Sequence, residues 1–303
     1  MTGSASSLAT PAGRRVRWAR AAVRAARPRQ WPKNLLVLAA PLAGVSLGRD
    51  DGIGYALVAV AAFTAASAAV YYVNDVVDAE RDRRHPVKRN RPVASGDLPA
   101  RHALVLAAIA AVAALGAGLW IGEPGLTGII ALYLALSAGY SAGLKHVPVL
   151  EAGCVASGFV LRALSGAVAT HVPPSGWFLV VCSLGALAVA AGKRRGELAA
   201  LGPESAARHR PVLRFYPGRA LDTAMMALMA GLVVSYLAWA AGDPDAWRRG
   251  WHLASAVPLA VALARFGWLA GRSGGRGVEE LILSDRVMTA AELAWLVLFA
   301  AGL

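Results

Sequence analysis

Apolar runs of about 18 to 22 residues recur along nearly the whole chain with short polar breaks between them, long enough to cross a hydrocarbon core of about 30 Å as α-helices. They fall at roughly 34–48, 54–74, 102–121, 126–143, 149–170, 176–192, 220–241, 250–270 and 286–303, which predicts nine transmembrane helices. Alanine, glycine and leucine dominate the runs, and small residues let helices approach closely in lipid. Residues 1 to 12 carry no pattern, whereas Arg14, Arg15, Arg17, Arg20, Arg24, Arg27 and Arg29 form a basic stretch that reads as an interfacial helix on anionic headgroups. The chain therefore divides into a basic N-terminal tail or interfacial helix over 1–30 and a nine-helix transmembrane domain over 31–303.

Composition agrees: 57% of the 303 residues are hydrophobic, and the net charge of +13 is carried mostly by the polar breaks. That placement argues for a membrane topology signal rather than a nucleic-acid surface, and no nucleic-acid partner is expected. The N-terminal tail, Arg81 to Arg101, Lys193 to Arg219 and Arg272 to Arg286 hold most of the positive charge, while the opposite breaks hold Arg49, Arg248 and Arg249. With nine alternating spans the rich segments share one side, so the N-terminus is expected in the cytoplasm and the loops after spans two, six and eight with it. A multi-pass protein of the plasma membrane, with its site facing the cytoplasm, is the expected localisation. Cys154 and Cys182 lie inside apolar runs, where packing is the ordinary role of a thiol.

The most informative stretch is Tyr71-Tyr72-Val73-Asn74-Asp75-Val76-Val77-Asp78-Ala79-Glu80-Arg81-Asp82. On a continuous helix Asp75, Asp78 and Asp82 would project from one face at the helix end. Like charges there repel, and an acid at bilayer depth costs on the order of 3 kcal/mol, so the cluster calls for a cation. Mg²⁺ on a substrate diphosphate meets that need, because Mg²⁺ prefers a few carboxylates, water and phosphate oxygens. The basic patch His85-Pro86-Val87-Lys88-Arg89-Asn90-Arg91 follows within a few residues and suits the remaining phosphate charge. A solvated helix end, or a cation path in a transporter, are the competing readings of the acids. Topology alone is the competing reading of the bases.

Asn74-Asp75-x-x-Asp78-x-x-x-Asp82, followed by Arg91-Pro92-Val93-Ala94-Ser95-Gly96, resembles the first motif of the UbiA superfamily of intramembrane prenyltransferases. The resemblance implies an all-α fold of nine transmembrane helices around a central cavity, with Mg²⁺ and a diphosphate bound at the cytoplasmic end. The superfamily's second motif is a further aspartate-rich run after the sixth helix, and this chain has Gly192-Lys193-Arg194-Arg195-Gly196-Glu197 there. In this it is similar to the branch that makes decaprenylphosphoryl-5-phosphoribose. Further similarity to that branch lies in Arg29-Gln30-Trp31-Pro32-Lys33-Asn34, in Tyr140-Ser141 with Leu144-Lys145 and Glu151, in Arg162-Ala163, and in Glu279-Glu280 with Asp285-Arg286.

The resemblance implies transfer of phosphoribosyl from phosphoribosyl diphosphate to a polyprenyl (decaprenyl) phosphate, feeding cell-wall arabinan. Asp75, Asp78 and Asp82 are the expected metal and catalytic residues. Lys33, Asn74, His85, Lys88, Arg91, Tyr140, Lys145, Arg162, Lys193, Arg194 and Glu197 are the expected substrate-binding residues. Lys193 and Arg194 in place of acids would draw further anions, with Glu197 orienting Lys193 or holding a ribose hydroxyl, although an ordinary ion pair on a helix end accounts for the same residues. Arg162 lies deep in a span, where a cation needs a partner, and is expected to face the cavity. Interfacial anchoring is the competing reading of Lys33. A prenyltransferase that alkylates an aromatic acceptor and, more remotely, an ion-coupled transporter are the alternative functions. Oligomeric state stays open.

Overall fold

The structure, a computed structural model, describes residues 11–43, 52–85, 87–209, 211–272 and 284–303. It is all-helical among them. Helix α1 covers Pro11–Ala25, and a 3₁₀ segment, Pro28–Leu38, runs into the short α2, Ala39–Ala43. Among the described residues seven helices are long and apolar enough to cross a membrane: α3 Gly52–Val77, α5 Ala100–Trp120, α6 Pro124–Ala142, α7 Leu150–Ala169, α8 Gly176–Leu201, α10 Gly218–Ala241 and α11 Ala246–Ala270. The short α4, Ala79–Arg83, follows α3, and α9, Pro203–His209, follows α8. The last helix, α12, is Arg286–Ala301.

Seven of the nine expected spans are thus present as long helices. The expected first span is instead the 3₁₀ segment and α2, and its end, 44–48, lies outside the described residues. Pro28 and Pro32 explain the irregular start, because each lacks a backbone donor and Pro32 lies inside the segment. At 16 residues α12 spans about 24 Å, short of the hydrocarbon thickness.

Two packed groups make up the bundle. In the first, α3, α5, α6 and α7 bury Phe63, Ala114, Ile130, Tyr133 and Leu161 together. In the second, α8, α10, α11 and α12 bury Ala188, Met225, Met229, Phe266 and Met288. Helices α7 and α8 pack together and join the groups. The 3₁₀ segment lies against α7 so closely that a Cβ at Gly166 would collide with the Val37 carbonyl, a backbone approach that only glycine permits. Large side chains such as Ile109, Val112, Leu119 and Trp120 on α5 point outward, as lipid-facing residues do. The chain is a multi-pass membrane protein, and Cys154 and Cys182 are free thiols.

A smaller cluster caps one end of the first group. Ala21, Ala25 and Ala26 at the end of α1 are buried against Tyr72, Ala79 and Leu98. The Tyr72 hydroxyl donates to the Ala22 carbonyl at 3.0 Å. This contact brings the N-terminal helix to the acidic end of α3.

Candidate active site

The acidic stretch does not continue as one helix. Helix α3 ends at Val77, and Asp78, with φ −90° and ψ 1°, is the N-cap of α4. The three carboxylates therefore separate. Asp75 and Asp82 are buried, at 1% and 3% exposure, and share one guanidinium: Arg91 Nη1 lies 2.7 Å from Asp82 Oδ2 and 3.6 Å from Asp75 Oδ1. Asp78 turns to Lys145, whose Nζ is 3.8 Å from its Oδ1. Asn74 is fixed by the Ser141 hydroxyl, which donates to its Oδ1 at 2.7 Å. Helices α3 and α6, with the short turn after α6, thus meet at this point.

Local sequence explains how Arg91 is aimed. His85 Nδ1 accepts the backbone N–H groups of Val87 and Lys88, at 3.2 and 3.3 Å, and closes the turn after α4. Beyond it the Ser95 N–H donates to the Arg91 carbonyl and the Leu98 N–H to that of Pro92, with Gly96 at φ +84°. A left-handed position there favours glycine, and the buried Val93, Ala94 and Leu98 anchor the loop. Lys88 stands at the rim, its ammonium pushed below the ordinary lysine value by desolvation first and by the Arg91 cation next; a bound anion would act in the opposite sense.

Arg27 joins the cluster from the N-terminal side. Its guanidinium donates to Asp75 Oδ1 and lies 4.8 Å from the centre of the Tyr71 ring. The sequence hid this role, since Arg27 reads as one of seven basic residues on an interfacial stretch, and the following Pro28 is the one sign of a turn.

Arg162 occupies a different place, at 6% exposure. Its Nε donates to Asn34 Oδ1 at 2.8 Å, its Nη1 to the Gly158 carbonyl, and its Nη2 to Ser67 Oγ at 3.1 Å and Tyr133 at 3.3 Å. The rings of Phe63 and Tyr133 face it at 5.3 and 5.1 Å. The partner that its depth demands is a set of neutral acceptors and ring faces, with no ion pair to it among the described residues. Ser67 and Asp75 are two turns apart on α3, so this nest lies about 12 Å deeper than the carboxylates. Lys33, half-buried in the 3₁₀ segment, adjoins Asn34.

The second basic segment is organised around Arg194, at 2% exposure. Its Nε and Nη2 grip both oxygens of Glu151, which is fully buried at the start of α7, and its Nη1 donates to Glu197 Oε1 at 2.8 Å. Tyr140 lies within electrostatic reach of the same guanidinium. Lys193 is exposed beside it, and Arg195 turns away to Asp222 at 2.7 Å. The charge of Arg194, expected to draw anions, is matched by two glutamates. Asp285 caps α12 and pairs with Arg265 at 2.8 Å; Glu279 and Glu280 lie outside the described residues.

Among the described residues no three His, Cys, Asp or Glu side chains converge as a ready-made metal cage. The donor set nevertheless fits Mg²⁺, which takes one or two carboxylates and completes its shell with water and phosphate oxygens. Asp75 and Asp82 are drawn together by Arg91, and Asp75 Oδ2 is buried with no hydrogen-bond partner among the described residues.

Comparison with known proteins gives this arrangement a lineage. The model of the UbiA prenyltransferase family matches residues 35–276. The chain is 39% identical over 283 residues to the decaprenyl-phosphate phosphoribosyltransferase of Mycobacterium tuberculosis, covering 90% of this chain and 91% of that protein. The protein of that name from Mycolicibacterium smegmatis is 39% identical over 291 residues, with 90% and 89% covered. Among solved structures, a UbiA homolog from Archaeoglobus fulgidus bound to DMAPP and Mg²⁺ superposes with a TM-score of 0.69 at 16% identity, covering 93% of this chain and 97% of that one. The first motif, the helical architecture and these relatives agree, and the chain belongs to the UbiA prenyltransferase family.

Proposed function

We propose that this protein transfers the 5-phosphoribosyl group from phosphoribosyl diphosphate to a polyprenyl phosphate, decaprenyl phosphate in the first instance, and releases diphosphate. The observation that carries the reading is the charge make-up of the two segments. One offers buried carboxylates for a metal-bound diphosphate, and the other, where the superfamily has a second acidic cluster, has the exposed Lys193 beside an Arg194 committed to Glu151 and Glu197. Identity of 39% over nine-tenths of the chain with proteins named for that transfer supports the same choice.

In this reading Asp75 and Asp82 are the metal ligands, and Asp78 acts with Lys145 at the mouth. Mg²⁺ held there would neutralise the diphosphate as it leaves. Arg91, already bridging the carboxylates, holds a diphosphate oxygen, and Lys88 and Lys145 complement the remaining charge. Arg194, clamped by Glu151, fixes Glu197 to accept a ribose hydroxyl, while Lys193 meets a phosphate from its exposed position. The acceptor phosphate is anionic near neutral pH and attacks the anomeric carbon without a strong base, so catalysis is positioning and charge stabilisation. Arg162 supplies fixed positive charge beneath the site. The seven long helices, with the shorter 3₁₀–α2 segment and α12 reached by local thinning of the bilayer, give nine crossings of the plasma membrane, and the N-terminus and site face the cytoplasm.

Donor choice tests the reading. Purified protein with Mg²⁺ and decaprenyl phosphate is given ribose-labelled phosphoribosyl diphosphate and an equimolar prenyl diphosphate, with an aromatic acceptor present. Label in the organic phase is expected, whereas prenylation of the acceptor without lipid-borne label would identify an ordinary prenyltransferase.

A further inference from the structure

Arg24 and Arg27 leave the same helix end with different destinations. Arg24 pairs with Asp97 at 2.6 Å on an exposed rim, whereas Arg27 reaches Asp75, a carboxylate with 1% exposure. The backbone is shaped for this: Arg27 has φ 54° and ψ 64°, a left-handed conformation that residues with a side chain rarely adopt. That turn is held on both sides. The Gln30 N–H donates to the Arg27 carbonyl, the Trp31 indole to that of Ala26, and the Tyr72 hydroxyl to that of Ala22. The structure thus spends backbone strain to set a cation on a carboxylate that the proposed function assigns to Mg²⁺.

With Arg27 on Asp75 Oδ1 and a dication at the open Oδ2, one carboxylate would hold two cations that repel each other across it. A diphosphate removes the conflict by bringing its own negative oxygens, which a guanidinium grips in bidentate fashion. The Tyr71 ring, 4.8 Å from the guanidinium, gives the side chain a face to slide along. We propose that Arg27 is a diphosphate-binding residue delivered by the N-terminal helix, which holds Asp75 until metal and donor arrive and then exchanges that carboxylate for phosphate oxygens. Helix α1 is thereby part of the site, and its docking through Ala21, Ala25 and Ala26 sets how readily donor binds. The inference rests on the proposed metal role of Asp75 but not on the identity of the donor.

The test uses full-length protein, Mn²⁺ followed by electron paramagnetic resonance, and inorganic diphosphate as the probe. Arg27→Gln is expected to bind Mn²⁺ alone several-fold more tightly than wild type, because a competing cation is gone, and to bind diphosphate with Mn²⁺ about tenfold more weakly. A purely structural role predicts that both affinities fall together, and that result, or no change in either, overturns the proposal. A second measurement needs no variant: amide exchange over residues 17–27 of the wild type is expected to rise with Mn²⁺ alone and to fall with Mn²⁺ and diphosphate. Identical exchange in the three states would also overturn it. Neither arm contains phosphoribosyl diphosphate, so failure of the phosphoribosyl reading in the donor-choice assay leaves this result standing, and the reverse holds too.

Discussion

The ends of α3 and α8 carry the same kinds of side chain in opposite arrangements. At α3 the buried groups are acids, Asp75 and Asp82, and their cations Arg27 and Arg91 are each more than a quarter exposed. At α8 the buried centre is a cation, Arg194, enclosed by Glu151 and Glu197. Every oxygen of Glu151 is occupied, while Asp75 keeps one oxygen without a hydrogen-bond partner among the described residues. A saturated buried pair is architecture first, since removing either partner strands a charge. An unsaturated one has capacity for a ligand. The proposed function accordingly gives the metal and diphosphate to the α3 end, and to the α8 end the fixing of Glu197 and the α7–α8 contact.

The largest effect expected from this contrast is on stability. Arg194→Met takes the guanidinium from the buried Glu151 carboxylate, at a cost of about 3–5 kcal/mol, read by thermal unfolding in detergent. Adding Glu151→Gln should recover most of that loss, and simple additivity would break the comparison. Asp75→Asn is expected to do the reverse, lowering transfer by about 10² to 10³-fold with the protein still folded; chelation of the metal should match it and be reversed by Mg²⁺. Next, Arg91→Lys keeps the charge but loses the planar guanidinium, whose Nη1 faces both Asp75 and Asp82 and whose geometry suits a diphosphate oxygen, so donor KM should rise about tenfold with kcat less affected. Smallest, Ser141→Ala frees Asn74 Oδ1 from its 2.7 Å hydrogen bond and should cost about 1 kcal/mol in transfer, a few-fold in rate.

The sequence and the structure agree best where length and hydropathy decide. Seven spans lie within a few residues of their expected ends, except that α8 runs on to Leu201 because Arg194 and Glu197 satisfy each other one turn apart. They part where prolines break the first span into a 3₁₀ segment, whereas the last span, α12, begins at Arg286 as expected and ends at Ala301. Spacing exposed the aspartates, but not the break at Asp78 that turns it to Lys145. Pairings such as Arg27 with Asp75, Arg162 with Asn34, and Arg194 with Glu151 join residues 48, 128 and 43 positions apart. No local pattern encodes such a contact; it depends on how helices dock.

The central claim is that Asp75 and its neighbours release diphosphate as phosphoribose passes to lipid. Its most direct test measures, in one reaction of wild type and Asp75→Asn with Mg²⁺, phosphoribosyl diphosphate and decaprenyl phosphate, the diphosphate released and the ribose label recovered in the organic phase. Equal molar amounts in the wild type, both lost in the folded variant, are the expected result. Diphosphate without lipid-borne label in the wild type, or undiminished transfer in Asp75→Asn, would contradict it.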